Sequence, residues 1–406
     1  MRLTAVLLFV SAAFSSPCAQ AQTGLSMKDA VARALANRPE MRAGAQRVLA
    51  GQRLQEQAKL LPNPRLYVQS EDLHASDFSF SKDAETYAYA SETIEAPGRR
   101  KARIQVALQN TRSNAIRADE IKAQIAVSVR RAYWTACRAS LLSKLYTEDA
   151  NYFGQIVAYN DARFHEGKLA EVDLVRIKLE GERIRARAAS MQLAVGRAML
   201  NLTTTMGTTF GVWTLTEPFE ELEVPETLPL HRDPSFLRPE DMQAQTAIES
   251  ARANLSLQKS IGRPDTEVLA GYKKNLGPNT AIVGLQLNLP LFNRNQGEVA
   301  AAQANTHAAE EDYKAVHLRL DAELKLAEQD FAFQRDEYQK TFKPLHDRSI
   351  EISEITRAAY REGGVDLLRL LDAERLRVEA QVSWVDALES YHQSVVSLEY
   401  AEGVQP

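Results

Sequence analysis

The chain has two cysteines in 406 residues, Cys18 and Cys137. Neither a disulfide framework nor a CxxC metal or redox motif can be built from them. Neither sign of charge dominates: 49 basic residues stand against 53 acidic ones, which gives no basic footprint for nucleic acid. No stretch beyond the N-terminus approaches the ~18 consecutive apolar residues of a transmembrane helix. The seven histidines are scattered, with no two at i, i+4, so no metal centre is expected. No nucleophile–base constellation or phosphate-cradling glycine loop occurs, so neither an enzyme nor a cofactor is expected. Proline is absent between Gly98 and Glu166, and Gly154 is the one interior glycine there. Ala, Leu, Glu, Arg and Gln are abundant instead, the composition of long helices.

The N-terminus reads as an export signal. Arg2 precedes an apolar stretch, Leu3 to Phe14, and Ala19-Gln20-Ala21 forms an A-x-A site, placing the signal peptide at 1–21. Cys18 lies just before the cut, behind Pro17 where a lipoprotein signal needs a small residue. Cys137 would then be the one mature cysteine, a small helix residue.

The rest says one thing twice. Arg38-Pro39-Glu40 recurs as Arg238-Pro239-Glu240 and Pro64 as Pro264, both at an offset of 200. Glu166-Gly167 recurs as Glu362-Gly363 at 196, and Pro97-Gly98-Arg99-Arg100 aligns with Phe292-Asn293-Arg294-Asn295 at 195. Each half predicts the same order: helix, two short alternating strands, very long helix, glycine turn, return helix. The expected divisions are 22–212 (first repeat), 213–237 (connector) and 238–406 (second repeat). In the first half the helix begins at Ser26 and is broken at Pro39. Strands follow at 65–71 and 85–95, a rod from 98 to about 166, and a return helix at 171–206. In the second half Pro344 is expected to kink or divide the rod. Along 280–289, Val283, Leu285, Leu287 and Leu289 alternate with Gln286 and Asn288, the apolar-out, polar-in pattern of a lipid-facing barrel strand.

Four strands cannot close a barrel, and open edges cannot sit in lipid. Three chains would supply twelve strands and a ring of helical rods about 100 Å long. The expected class is therefore mainly α with a small β part. Either the sheet packs on helices in a soluble protein, or several chains share one barrel; the second gives a trimeric outer-membrane β-barrel, four strands per chain, continued by a long periplasmic α-helical barrel.

At this point the residues resemble the TolC family of outer-membrane efflux proteins. The motifs are Arg38-Pro39-Glu40, the segment Thr93 to Arg100, the segment Leu289 to Glu298, and Tyr360-Arg361-Glu362-Gly363 followed by Leu370-Leu371-Asp372-Ala373. The Pro-Gly-Arg-Arg exit is most similar to the CzcC-type branch that serves cobalt–zinc–cadmium and related cation efflux. The resemblance implies a homotrimer in outer-membrane lipid of a Gram-negative bacterium, extending into the periplasm. It implies a periplasmic adaptor (membrane fusion) protein and a proton-driven inner-membrane pump as partners. It implies a channel that does no chemistry. Gly167 and Gly363-Gly364 would form the tips that meet the adaptor. Asp372 would line the periplasmic entrance, with Arg369 standing where the family pattern has a second acid, and Asp173 as the first-half counterpart. Export of organic compounds or of a type I secreted protein uses the same fold. A periplasmic coiled-coil scaffold without a pore is the reading from another class.

Overall fold

The computed structural model describes residues 23–71, 84–209, 211, 213–220, 238–274 and 277–404. The expected signal peptide with Cys18, the loop at 72–83 and the connector from 221 to 237 lie outside the described residues.

The chain enters as β1 (Thr23–Leu25), and Ser26 caps α1 (Met27–Asn37) by accepting the Asp29 N–H at 3.1 Å. Pro39 forces Arg38 into an extended backbone and then opens α2 (Pro39–Ala58) as its first residue. β2 (Arg65–Glu71) and β3 (Glu85–Ile94) pair antiparallel. With no proline to stop it, α3 runs unbroken from Arg99 to His165, 67 residues and about 100 Å. α4 (Glu171–Thr205) returns alongside it, and β4 (Trp213–Leu215) lies parallel to β1.

The order of elements then recurs. α5 (Pro239–Ile261), β5 (Thr266–Lys274) and β6 (Thr280–Leu287) precede α6 (Gln296–Asp336). A π-helical segment, Glu337–Phe342, joins α6 to α7 (Lys343–Arg361), and α8 (Leu367–Glu402) returns. The break expected at Pro344 falls just upstream of it. Proline has no N–H and crowds the carbonyl four residues back. That carbonyl, on Lys340, lies inside the π segment, where backbone bonds reach one residue further.

The four strands expected from sequence are present, and a further pair accompanies them. Six are described: β2-β3-β5-β6 form one antiparallel sheet, and β1 and β4 form a second of two strands. The extra pair is three residues long, too short for an alternation to register. It is tied down from the helices. The fully buried Tyr133 on α3 donates its hydroxyl to the Leu25 carbonyl at 2.8 Å and accepts the Thr216 and Glu217 N–H groups, each at 3.2 Å. Around Tyr133, the main core joins the middle of α3 to the middle of α8 through Trp134, Val385 and Leu388, with Leu202 of α4. Cys137 is buried there, and burial pushes its thiol up to about 12. It is an inert packing residue.

Candidate functional site: sheet faces, strand exits and helical tips

The four-stranded sheet has two unlike faces. Register places Leu66, Ala90, Ala270 and Val283 in one row, and Glu92, Val268 and Leu285 in another row on the same face. Leu66, Val68, Val283 and Leu285 are 77, 65, 82 and 64% exposed. Apolar side chains this open to water need a partner medium. The opposite face is polar. Tyr67 stacks on Tyr89 with ring centroids 4.8 Å apart and bonds Gln69, Ser91 donates to Glu267 at 2.5 Å, and Lys273 pairs with Glu85 at 2.5 Å. One face of the sheet is thus apolar and open, and the other is polar and hydrogen-bonded within itself.

At the strand exits the two halves interlock. Gly98 and Asn295 both take the left-handed backbone, with φ of 89° and 62°, and open α3 and α6. Glycine and asparagine are the residues that accept this conformation at least cost. The structural offset between these two caps is 197, so the alignment of Gly98 with Asn293 shifts by two residues. Arg99 ion-pairs with Asp265 and donates to the carbonyls of Ser260, Ile261 and Arg263, closing the C-terminus of α5. Arg103 ion-pairs with Glu95 and donates to Ala58 and Leu60, closing α2. Arg99 of the Arg-Arg motif and Arg103 one turn on are legible in sequence, but their job of capping other helices is not, because their partners lie 43 to 164 residues away.

At the other end, Gly167 and Gly363 carry φ of 71° and 79° and end α3 and α7. The Gly167 N–H bonds Phe164 at 2.9 Å, and the Gly363 N–H bonds Tyr360 at 3.1 Å. Gly364 donates to Ala359 at 2.8 Å and completes the second turn. One apolar cluster, Ile156, Leu174, Ile177, Tyr360, Leu367 and Leu370, holds both tips side by side. The Tyr360 hydroxyl donates to the Asn160 side chain at 2.5 Å.

Asp173 lies in the first turn of α4, half-buried, 3.9 Å from Arg176. Asp372 and Arg369 are exposed on α8. The Arg369 N–H is capped by Asp366 at 2.9 Å, while neither its guanidinium nor Asp372 has an ion-pair partner among the described residues. The chain brings these three residues to one end but does not join them to each other.

Sequence reading missed a buried ionic cluster above the tips. Glu374 of α8, fully buried, accepts from Arg357 at 2.5 and 2.7 Å, from Ser353 at 2.9 Å and from Arg377 at 3.1 Å. Arg377 reaches Asp149 of α3 at 2.5 Å, and Arg357 lies 3.7 Å over the Tyr152 ring. Burial pushes the Glu374 carboxyl up, but its two arginines outweigh that and leave it lowered. Burial prevails at Asp149 and leaves it raised. The one local hint was a Glu–Arg pair three residues apart.

Among the described residues, no group of three or more His, Cys, Asp or Glu side chains is arranged to hold a metal ion, and no helix is long and apolar enough to cross a membrane.

Comparison with known proteins agrees with this geometry. Residues 237–404 match the family described as outer membrane efflux protein. The cobalt-zinc-cadmium resistance protein CzcC of Cupriavidus metallidurans is 24% identical over 357 residues, covering 84% of this chain and 81% of that protein. The nickel-cobalt-cadmium resistance protein NccC of Alcaligenes xylosoxydans xylosoxydans is 25% identical over 300 residues, covering 72% of this chain and 67% of that protein. Among solved structures, CusC superposes with a TM-score of 0.78 at 18% identity, covering 98% of this chain and 95% of its own. The CmeC outer membrane channel of Campylobacter jejuni superposes at 0.75 with 15% identity, covering 99% and 94%. The fold is therefore that of the outer-membrane channels.

Proposed function

We propose that this chain, whose second half belongs to the outer membrane efflux protein family, is the outer-membrane channel of a tripartite efflux system. It conducts heavy-metal cations passively, as a homotrimer. The carrying observation is that the single chain is unfinished along both sides, at every level. In the sheet, β2 and β6 are the free edges, and their opposite directions let β6 of one copy pair antiparallel with β2 of the next. Below it α3 packs between α2 and α5, and α6 packs beyond α5. Lower still α3 carries α4 on one side and α8 with α7 on the other. One free side thus belongs to the first half and the other to the second.

Both free sides carry uncovered coiled-coil seams. On α4, Val172, Leu179, Leu193 and Leu200 recur at multiples of seven residues with Val175 at the intervening a/d-type position, all 53–65% exposed. On α6 and α7 the seam is Leu318, Leu326, Phe333, Leu345, Ile352 and Ile355, 49–70% exposed. A head-to-tail contact of two different surfaces closes into a ring when its rotation is a whole fraction of a turn, one third for three copies. Three copies supply twelve strands, and the two near-equivalent runs of elements read as an internal duplication: 22–212 and 238–406 joined by 213–237, behind a signal peptide at 1–21.

On this reading the apolar sheet face meets outer-membrane lipid and the tips at Gly167 and Gly363-Gly364 meet a periplasmic adaptor fed by a proton-driven inner-membrane pump. Asp372, Arg369 and Asp173 line the periplasmic entrance. Three copies of Asp372 favour cations there, and Arg369 pairs across the subunit boundary. The chain performs no catalysis. Metal cargo is favoured by the two resistance proteins named above, both of whose names specify cobalt and cadmium.

Two measurements test this. Native mass spectrometry of the detergent-purified protein is expected to give a trimer, and a monomer would overturn the ring. Deleting the gene is expected to lower tolerance to zinc, cobalt or cadmium. Unchanged metal tolerance with new sensitivity to dyes would overturn the cation cargo and favour organic export.

A further inference from the structure

The N-terminal turn of α5 holds a carboxylate with an unmet need. Asp241 has a side chain 6% exposed, and its Oδ1 has no hydrogen-bond partner. Arg238, one turn away, is already taken by Glu240 at 3.0 Å and Glu323 at 2.9 Å. The group that Oδ1 faces is His317 of α6, whose Nδ1 lies 3.5 Å away. That is beyond the ~2.7–3.2 Å of an N–H···O bond. It does match the roughly 3.3–3.6 Å between two ligands of one tetrahedral ion with bonds of ~2.0–2.2 Å.

The surroundings fit the same use. The second imidazole nitrogen, Nε2, lies 3.9 Å from Asp321 Oδ2, one helical turn on, a gap that a small side-chain rotation would close to a hydrogen bond. A carboxylate behind the far nitrogen of a ligating histidine is the usual outer partner of such a site, and it fixes which nitrogen is free to bind. The Tyr313 ring lies nearly parallel to the imidazole, with centroids 6.1 Å apart. His317 is 57% exposed, so water can fill the remaining positions.

We propose that Asp241 Oδ1 and His317 Nδ1 bind one divalent borderline cation (zinc, cobalt or nickel) with water completing the shell and Asp321 orienting the imidazole. An imidazole plus a carboxylate selects these ions over magnesium and calcium, which take oxygen sets. Two protein ligands make an exchangeable site, one that picks up and releases. It ties α5 to α6 across residues 76 apart in sequence, and it stands whether or not metals are the cargo. A built-in control sits on the same helix. His307 lies 3.5 Å from Glu310, but Glu310 is already neutralised by Arg252 at 2.8 Å.

The test uses the full chain in detergent, titrated with Co²⁺ alone and read by visible d–d absorption and bound metal per chain. One Co²⁺ per chain is expected, with magnesium failing to compete. His317→Gln and Asp241→Asn should abolish it, Asp321→Asn should weaken it about ten-fold, and His307→Gln should leave it unchanged. Asp241→His keeps a ligand in place and should bind more tightly than wild type, which reads the site by gain even if a loss variant folds poorly. Absent binding in wild type, binding untouched by His317→Gln, or no gain in Asp241→His would each overturn the site.

Discussion

The two Arg-Pro-Glu motifs are the same three residues in two environments. Arg38 and Glu40 bond at 2.5 Å with side chains 24 and 48% exposed, and Arg38 also caps the end of α4 through the Thr205 carbonyl at 3.2 Å. Arg238 and Glu240 bond at 3.0 Å with side chains 9 and 15% exposed. The second copy has gathered more partners. Arg238 also holds Glu323 and lies 4.9 Å over the Tyr400 ring, whose hydroxyl donates to Glu240 at 2.5 Å. The local geometry, an arginine ahead of a proline that opens a helix, is identical. What differs is whether water does the solvating. Glu40 is lowered to about 2 by its hydrogen bond from Arg38. Glu240 is pushed up by burial and brought back below its ordinary value by Tyr400 and Arg238. A motif therefore fixes a local conformation, and the packing around it fixes its energetic weight.

The sharpest way to break that equivalence is to remove both arginines in turn. Arg238→Ala strands Glu240 among buried neighbours and should cost about 3–5 kcal/mol of stability. Arg38→Ala removes an exposed pair and a single carbonyl bond and should cost under about 1 kcal/mol. Urea melts of the purified protein decide it, and equal losses would mean that burial does not set the weight.

A second contrast lies between burial with and without a charge partner. His392 stacks on Trp134 at 3.7 Å beside Phe219, its Nε2 is unpartnered, and burial pushes it down to about 4. The unfolded chain takes up this proton near pH 6.5 and the folded chain near 4, so stability rises with pH between the two and falls as acid is added. The loss should reach on the order of 3 kcal/mol by pH 4. Glu374 and Glu240, both lowered, lose their contribution only as pH falls below about 4.3, which separates the windows. His392→Phe should flatten melting temperature against pH above 4.5. An unchanged slope there would assign the effect to another group.

The smallest contrast tests where the halves agree. Gly167→Ala and Gly363→Ala each meet open space but require φ above +70°, so each should cost about 1–2 kcal/mol, and equally. Gly364→Ala, at an ordinary φ with Ala359 O 3.5 Å from the new Cβ, should be near neutral. Thermal melts of the three variants rank them.

These comparisons also mark how far the sequence could be read. The strand and helix limits at Arg65–Glu71, Arg99–His165 and Pro239–Ile261 lay open, because proline, glycine and the two periods are written locally. Asp173, Asp372 and the tip glycines fell at one end of the molecule, since each sits next to a turn. What stayed hidden depends on distant partners. Arg377 finds Asp149 across 228 positions, Arg99 caps a helix more than 160 residues away, and β1 pairs with a strand 190 residues on. No period announces such pairings.

The π-helical segment Glu337–Phe342 has a geometric consequence for the free side of the rod. From Phe333 to Leu345, the two exposed residues that flank it, there are twelve positions. Three full α-turns take about eleven, so an unbroken α-helix would rotate the lower stripe roughly 120° away from the upper one. The wider turn absorbs the surplus residue, as a leap day keeps a calendar in step with its seasons. Deleting one residue there would then return the segment to ordinary helix while leaving both stripes aligned, whereas the same deletion inside α6 would throw every lower contact out of phase.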